Sequence, residues 1–382
     1  MPESKVEGPV SYHYGQFPPS VLQYERLIDP VSDATASIAR YDQMLAGMRN
    51  SEILLAPLRN QEAVVSSRME GTIATLDEIL RIEAEDVSDD GDAFRTARLE
   101  AVETFLYSRA MQRTQKQMEL GQPLSEFLIR TAHQILLSYG RGAALAPGGY
   151  KTEQNYIGEK RKRFVSFIPI SPESLPGGMQ SLMSFIRGSP VNKLLKTALA
   201  HVEFEALHPF QDGNGRIGRM IITLMLWEYG LIRQPHFYVS SYFEDRREEY
   251  IDRMRRVSSH GEWTEWCEFF LRGLEDQAKQ NIQTAERIFK LYEDMKARFR
   301  LELGSQWSTD ALDFMFSNPT FRNNRFTQQK NIPPHVAMTM TRKLREAGLI
   351  VQVDAPSGRK PAMYAFKPLI DIVRGEQFDQ VE

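Results

Sequence analysis

The sequence predicts a mainly α-helical protein that carries one small β-hairpin and ends in a short mixed α+β module. Three observations predict this. From Ala36 onward apolar residues return every three or four positions (Ile38, Tyr41, Met44, Leu45, Met48), which places them on one helical face. Before residue 300, only the stretch near 151–168 alternates polar and apolar residues between turn signals, as a hairpin does. After Trp307 the pattern changes to two short helices, then the alternating Val351-Gln352-Val353 and the apolar Ala362–Phe366 around a Ser357-Gly358-Arg359-Lys360 turn.

Composition narrows the class. The chain has 382 residues, 42% hydrophobic and 25% charged, so it is long enough for more than one domain of ordinary globular composition. A net charge of −3 offers no global attraction to nucleic acid, and any such binding must rest on a local patch. The single cysteine, Cys267, excludes a disulfide framework; set in WTEWCEFFL it reads as a buried helix residue, not a nucleophile. The start, MPESKVEGPV, lacks a signal-peptide pattern, and no apolar run reaches the roughly 18 residues of a membrane span. A cytoplasmic location is the expectation.

Taken in order, residues 1–34 are rich in Pro, Tyr and Ser and read as an extended arm laid over the body. Helices are expected from Ala36, over 52–67 (Leu54, Leu55, Leu58, Val64, Val65) and over 72–83, followed by an acidic loop at 84–92. Further helices are expected at 94–118 and, after Gln122-Pro123, at 124–138. The hairpin at 153–168 carries a charged tip, Glu159-Lys160-Arg161-Lys162-Arg163. Helices at 173–187, 190–207 and 214–229 follow, then a loop, FYVSSYFEDRREEYIDRM, and a long helix at 262–301.

The chemistry concentrates in Leu207–Arg219, LHPFQDGNGRIGR. Gly213-Asn214-Gly215 lets the backbone turn tightly and aim N–H groups at an anion, at the N-terminus of the helix that the following apolar run supplies. Arg216 and Arg219, three apart, fall on one face and can fork onto phosphate oxygens. Asp212 is a hard ligand suited to Mg²⁺, and His208 is a base near neutral pH. A phosphate site with a base beside it points to phosphoryl or nucleotidyl transfer. His201, seven residues earlier, forms no HExxH spacing and reads as a buried, hydrogen-bonded histidine.

The string resembles the signature of the Fic family, HxFx(D/E)GNGRxxR, with every fixed position filled: His208, Phe210, Asp212, Gly213, Asn214, Gly215, Arg216 and Arg219. The resemblance covers about 95–300 and implies an all-α Fic core that moves AMP from ATP to a protein Ser, Thr or Tyr hydroxyl. His208 would be the base, Asp212 the Mg²⁺ ligand, and Gly213, Asn214, Gly215, Arg216, Ile217, Gly218 and Arg219 the nucleotide-binding loop. Family members place an aromatic after this helix against the nucleobase; Tyr250 is the first choice and Tyr242 the second. Ile157 and Gly158 would join the site from the hairpin, whose edge would take a target protein as an added strand.

Read alone, Ser66-Ser67-Arg68-Met69-Glu70-Gly71 is a helix end stopped by glycine. The family resemblance gives it a second meaning, because regulated members carry an inhibitory (S/T)xxxE(G/N) helix and Ser66, Glu70 and Gly71 match it. Glu70 would then contest Arg219 with the γ-phosphate. The same glutamate can position a water for the reverse reaction, removal of AMP. Proteins of this kind often self-associate, so a homodimer is expected, as is self-modification.

The expected domains are an N-terminal arm and helical region at 1–94 that includes the inhibitory helix (about 52–71), a Fic domain at 95–300 and a module at 305–374 that resembles a winged helix. From Ser305 to residue 382 the sequence holds ten Lys and Arg against eight Asp and Glu, so DNA phosphates would be met by Arg342, Lys343, Arg345, Arg359 and Lys360. Winged helices also serve as protein-interaction modules. The alternative to catalysis is a DNA-binding regulator whose core senses nucleotide without significant transfer.

Overall fold

A computed structural model describes residues 8–48, 51–86, 93–159, 164–358 and 360–375. The hairpin tip 160–163, the acidic residues 87–92 and Arg359 lie outside the described residues.

The short strand β1 (Val10–Ser11) precedes helices α1 (Tyr24–Gly47), α2 (Ser51–Met69), α3 (Leu76–Asp86), α4 (Ala93–Thr96) and α5 (Leu99–Glu119). After α6 (Glu126–Leu136) and a 3-10 turn at Gly140–Ala144 comes the hairpin of β2 (Ile157–Glu159) and β3 (Phe164–Ile168). Then follow α7 (Leu175–Gly188), α8 (Lys193–Leu207), α9 (Asn214–Glu228), α10 (Ser240–Asp245), α11 (Arg247–His260) and the long α12 (Trp263–Leu303). The C-terminal part holds α13 (Ser308–Ser317), β4 (Thr320–Arg322), α14 (Asn323–Thr327), α15 (Pro334–Glu346), β5 (Val351–Asp354), β6 (Met363–Ala365) and α16 (Lys367–Arg374). The chain divides into two compact units, one of Met1–Gln43, Val65–Gly71 and Leu106–Lys279, the other of Met44–Val64, Thr72–Phe105 and Gln280–Glu382.

The first unit is built on α8, whose residues from Leu194 to Leu207 are all buried except Glu205. A helix buried on nearly every side belongs in a core, and α7 and α9 pack against it. The Asn192 side chain caps it by accepting from the Leu194 and Leu195 amides at 2.9 and 3.4 Å. Trp266, fully buried, donates its indole N–H to the Ala198 carbonyl at 2.8 Å. His201 donates from Nδ1 to the Gly218 carbonyl at 3.2 Å and accepts at Nε2 from the Tyr250 hydroxyl at 2.7 Å. Burial drives its pKa down to about 3, so it is neutral, and both nitrogens are occupied. Cys267 is buried, with its thiol pKa raised by desolvation, as its sequence context suggested.

Two expectations are corrected here. α1 starts at Tyr24, not Ala36, and runs through Pro30. The proline removes one amide donor, but Leu27, Ala34, Ile38 and Tyr41 form a buried stripe that outweighs it. The segment expected as a loop after Phe237 is α10 and α11, because Tyr242, Phe243, Tyr250 and Val257 bury one side against the core. The N-terminal arm is extended, as expected, and it adds a strand: the sheet order is β1-β3-β2, with Val10 opposite Phe167 and β1 parallel to β3. Tyr12 and His13 fix the arm to Glu203 of α8, at 2.7 and 2.8 Å.

In the second unit, β4, β6 and β5 form an antiparallel sheet in that order, beside the packed pair α14 and α15. Two helices and a strand pair appear where the sequence indicated them; β4 and α16 were not anticipated. β4 is too short for alternation to reveal, and it is held by a fully buried Phe321 and by Arg322, which pairs with Glu85 and donates to the Pro361 carbonyl at 2.9 Å. Lys343 Nζ donates to the Leu303 carbonyl at 3.0 Å.

Candidate active site

The signature begins where α8 ends. His208 closes that helix in the left-handed region at φ 46°, and Gly213 opens α9 at φ 78°, so the residues 208–213 between the helices turn sharply. A positive φ at a non-glycine residue such as His208 is uncommon and needs support from its surroundings. The support is on three sides. The Asn214 side chain accepts from the Phe210 amide and donates to the Phe210 carbonyl, both at 2.8 Å, folding the loop on itself. Lys151, buried, donates from Nζ to the Leu207 carbonyl at 3.0 Å and from its backbone N–H to the Pro209 carbonyl at 2.8 Å, while Asn155 Nδ2 donates to the Phe210 carbonyl at 3.0 Å. His133 takes the Gly148 amide on Nδ1 at 2.8 Å, which leaves Nε2 to donate to the Asp212 carbonyl at 2.9 Å. Its ring stacks on Phe210, with centroids 3.7 Å apart and planes 6° from parallel.

His208 Nδ1 lies 3.4 Å from the Glu205 carbonyl, which can only accept. The proton therefore sits on Nδ1, and Nε2 keeps its lone pair. Burial, with help from the Lys151 charge, pushes the His208 pKa down to about 4, so the ring is neutral at pH 7.

Arg219 is the most constrained side chain of the site, fully buried and triply bonded to α2. Nε donates to Ser66 Oγ at 2.9 Å, and Nη2 donates to the Ser66 carbonyl and to Glu70 Oε1, both at 2.8 Å. Burial alone would raise the Glu70 pKa, but the adjacent guanidinium outweighs it and holds the carboxyl below its usual range. Gly71, at φ 83°, ends α2 just past Glu70, as the sequence indicated. Arg68 grips Glu244 of α10 through two nitrogens at 2.5 and 2.6 Å, and Arg247 of α11 reaches the Met69 carbonyl at 3.4 Å. The end of α2 is thus tied down at the two residues just before its glutamate.

These groups meet at a cavity of about 410 Å³. Of the residues singled out from sequence, Glu70, Ile157, Gly158, His208, Gly215, Arg219 and Tyr250 line it. Ile157 and Gly158 lie on β2, opposite Phe167 and Val165 of β3, with a bulge between them. Gly213, Asn214 and Ser66 shape the site from behind. Ile217 and Gly218 face the α8–α9 packing; Ile217 is buried, and a β-carbon on Gly218 would fall 2.2 Å from Glu205 Oε1. Arg216 is buried with its Nε lacking a hydrogen-bond partner, a donor held ready for an acceptor. Asp212 is half exposed, 3.6 Å from Arg216.

Tyr242 is not brought to the cavity. Its ring packs on Gly273, where a β-carbon would come within 2.7 Å, and Arg246 covers the other side at 4.1 Å from the centroid. Lys151, Asn155, His133 and Glu205 were missed in sequence. Lys151 precedes the recognised hairpin and Asn155 lies in its first residues, and both carried a faint signal as polar residues beside a glycine turn; His133, on a separate helix, carried none.

Among the described residues no group of three His, Cys, Asp or Glu side chains gathers as a metal centre. A lone carboxylate still suits Mg²⁺, which keeps its waters and is held largely by substrate phosphates. No helix among the described residues is long and apolar enough to cross a membrane.

Comparison with known proteins agrees with this geometry. The family model described as Fic/DOC family N-terminal matches residues 28–116, and the one described as Fic/DOC family matches residues 123–226. A probable protein adenylyltransferase of Aquifex aeolicus is 27% identical over 208 residues, 54% of this chain and 57% of that protein. Protein adenylyltransferase fic-1 of Caenorhabditis elegans is 27% identical over 94 residues, 24% of this chain and 17% of that protein. The match thus spans little more than half of the first relative and a small part of the second. A crystal structure of a Fic family protein from Desulfovibrio desulfuricans superposes over 89% of this chain and 95% of its own, with a TM-score of 0.55 at 21% identity. A Fic domain containing signaling protein from Bacteroides thetaiotaomicron does so over 67% and 97%, with a TM-score of 0.53 at 18% identity. With both family models aligned along the helices that build the site, the chain belongs to the Fic/DOC family.

Proposed function

We propose that this chain is a protein adenylyltransferase that moves AMP from ATP to a Ser, Thr or Tyr hydroxyl of a target protein. One observation carries the reading: a neutral His208, whose Nε2 keeps its lone pair, lines the same cavity as Arg219. The target hydroxyl gives its proton to that nitrogen as its oxygen bonds to the α-phosphorus and the bond to pyrophosphate breaks. General-base help of this kind contributes ~10²–10⁴-fold. The amides at the start of α9 and Arg216 carry charge on the phosphates, and Arg219 orients the γ-phosphate. Asp212 would hold Mg²⁺, which supplies charge neutralisation on the phosphates when bound. Tyr250 and the hairpin residues Ile157 and Gly158 would bound the nucleotide.

Glu70 and Ser66 make this a restrained enzyme, because the arginine meant for the γ-phosphate is already spent on α2. The target would add to the open edge of β2, as β1 covers the far edge of β3. The same glutamate could place a water for removal of AMP, which would make the enzyme reversible. Purified protein with α-labelled ATP and Mg²⁺ should show weak self-labelling. Glu70→Gly should raise it, and adding His208→Ala should abolish it. An undiminished signal in the double variant would sink the mechanism.

The second unit supports a further reading as a winged-helix module. Arg342 and Arg345 are exposed on α15 beside His335, Met338 and Thr339. Binding to DNA through this face would appear as a salt-dependent shift of genomic fragments. No shift at low salt would leave it a protein-interaction module. A homodimer is proposed on the family resemblance alone, and sedimentation tests it.

A further inference from the structure

Gly215 and Gly218 lie one turn apart on α9, and each makes room for a carboxyl group. A β-carbon on Gly215 would meet Glu70 Oε1 at 2.1 Å, and one on Gly218 would meet Glu205 Oε1 at 2.2 Å. Both glutamates line the cavity beside Arg219. The guanidinium is committed to Glu70 and Ser66, whereas Glu205 Oε1 is buried without a hydrogen-bond partner. Two carboxyls next to one engaged cation do not both ionise cheaply, and the unpaired one keeps its proton.

We infer that Glu205 is a phosphate-binding residue, a carboxylic acid whose O–H is offered to the anion that takes the place of Glu70 over Gly215. The identity of that anion as the nucleotide's phosphate rests on the adenylyltransferase reading. Burial first, and the Glu70 charge after it, push the Glu205 pKa up to about 8 against the pull of Arg219. A polyphosphate in place of Glu70 brings more negative charge and favours the O–H further. The other titratable or charged groups near this carboxyl are Glu70 on α2, His208, Arg219, and Tyr250, Arg247 and Arg255 on α11. Lys151, behind His208, titrates in the same range, with its pKa lowered to about 8 by burial. If the acid form is what binds, complex formation takes up a proton wherever free Glu205 is partly ionised. Affinity then falls with rising pH, by up to about tenfold per unit.

The test uses the full chain in the Glu70→Gly background, where Arg219 is released. Tripolyphosphate and ATP are titrated calorimetrically at pH 7 to 9 in buffers of different ionisation enthalpy. Glu205→Gln should take up fewer protons and flatten the pH dependence; the ligand's own titration is common to both variants. Glu205→Leu should bind about tenfold more weakly at pH 7, and Gln, which keeps a donor, should not. Proton uptake unchanged in the Gln variant would assign it to Lys151 and overturn the inference, as would Leu binding as well as Gln, or absence of tripolyphosphate binding. Tripolyphosphate binding with the expected pattern but no AMP transfer would overturn the adenylyltransferase reading and leave Glu205 in its role.

Discussion

Glu70 and Arg219 face each other at 2.8 Å, and the same arginine holds Ser66 by both side chain and backbone. The proposed inhibitory contact is therefore more than one ion pair. Ser66→Ala removes one of three hydrogen bonds and leaves the carboxylate in place. A hydrogen bond to a charged group contributes about 1.5–3 kcal/mol. Self-labelling by Ser66→Ala should fall between wild type and Glu70→Gly, and a rate equal to wild type would show that the carboxylate alone restrains the site.

The Arg68–Glu244 pair anchors the end of α2, but Arg68 and Glu244 are 46% and 24% exposed. Exposed pairs contribute about 0.2–1 kcal/mol and weaken with salt. Glu244→Gln should raise the basal rate by only about two- to fivefold. That gain should shrink as ionic strength rises, measured by initial rates in a salt series.

The proposed catalysis requires neutral His208. With its pKa lowered to about 4, protonation removes the base only below that value, so the acid limb of the rate should lie near pH 4, not near 6.5. In the Glu70→Gly background a raising charge is also gone, which moves the limb no higher. Single-turnover rates against pH would show it.

Tyr242 packs on Gly273 and lies outside the cavity that holds His208 and Arg219. Tyr242→Ala, at a 4% exposed site, should cost about 3–5 kcal/mol of stability in denaturant. ATP affinity of the folded fraction should be unchanged, whereas Tyr250→Ala, in the cavity wall, should weaken it.

The loop supports make a last prediction. Asn155→Ala and His133→Ala free the turn that aims His208, so kcat should drop by about tenfold or more with little change in ATP affinity. Lost affinity with unchanged kcat would count against a positioning role.

Much of this was legible in sequence, for reasons that differ by element. The signature is local: its loop and the helix after it are specified within thirteen residues, and His208, Gly215 and Arg219 converge as their spacing implied. Ser66 and Glu70 lie far away in the chain, and only a motif match joined them to Arg219. Lys151, Asn155 and His133 act on backbone carbonyls, which no side-chain pattern records. Glu205 escaped notice because a carboxyl on a helix is ordinarily solvated; only the fold shows it lodged against Gly218. The helices α10 and α11 were hidden by their charged residues, since burial of Tyr242, Phe243 and Tyr250 becomes evident only against α12. Pro30 misled because local propensity argued for a turn while the tertiary stripe argued for a helix.

On the proposed function, Glu70 over Gly215 has a kinetic consequence. A tethered carboxylate is a competitor that cannot be diluted away, so its effective concentration is set by the chain and not by the cell. The working affinity for nucleotide is then the intrinsic one divided by the fraction of molecules in which α2 has let go. Anything that pulls on α2 adjusts that fraction without touching the chemistry, and so sets the gain of the enzyme at constant ATP.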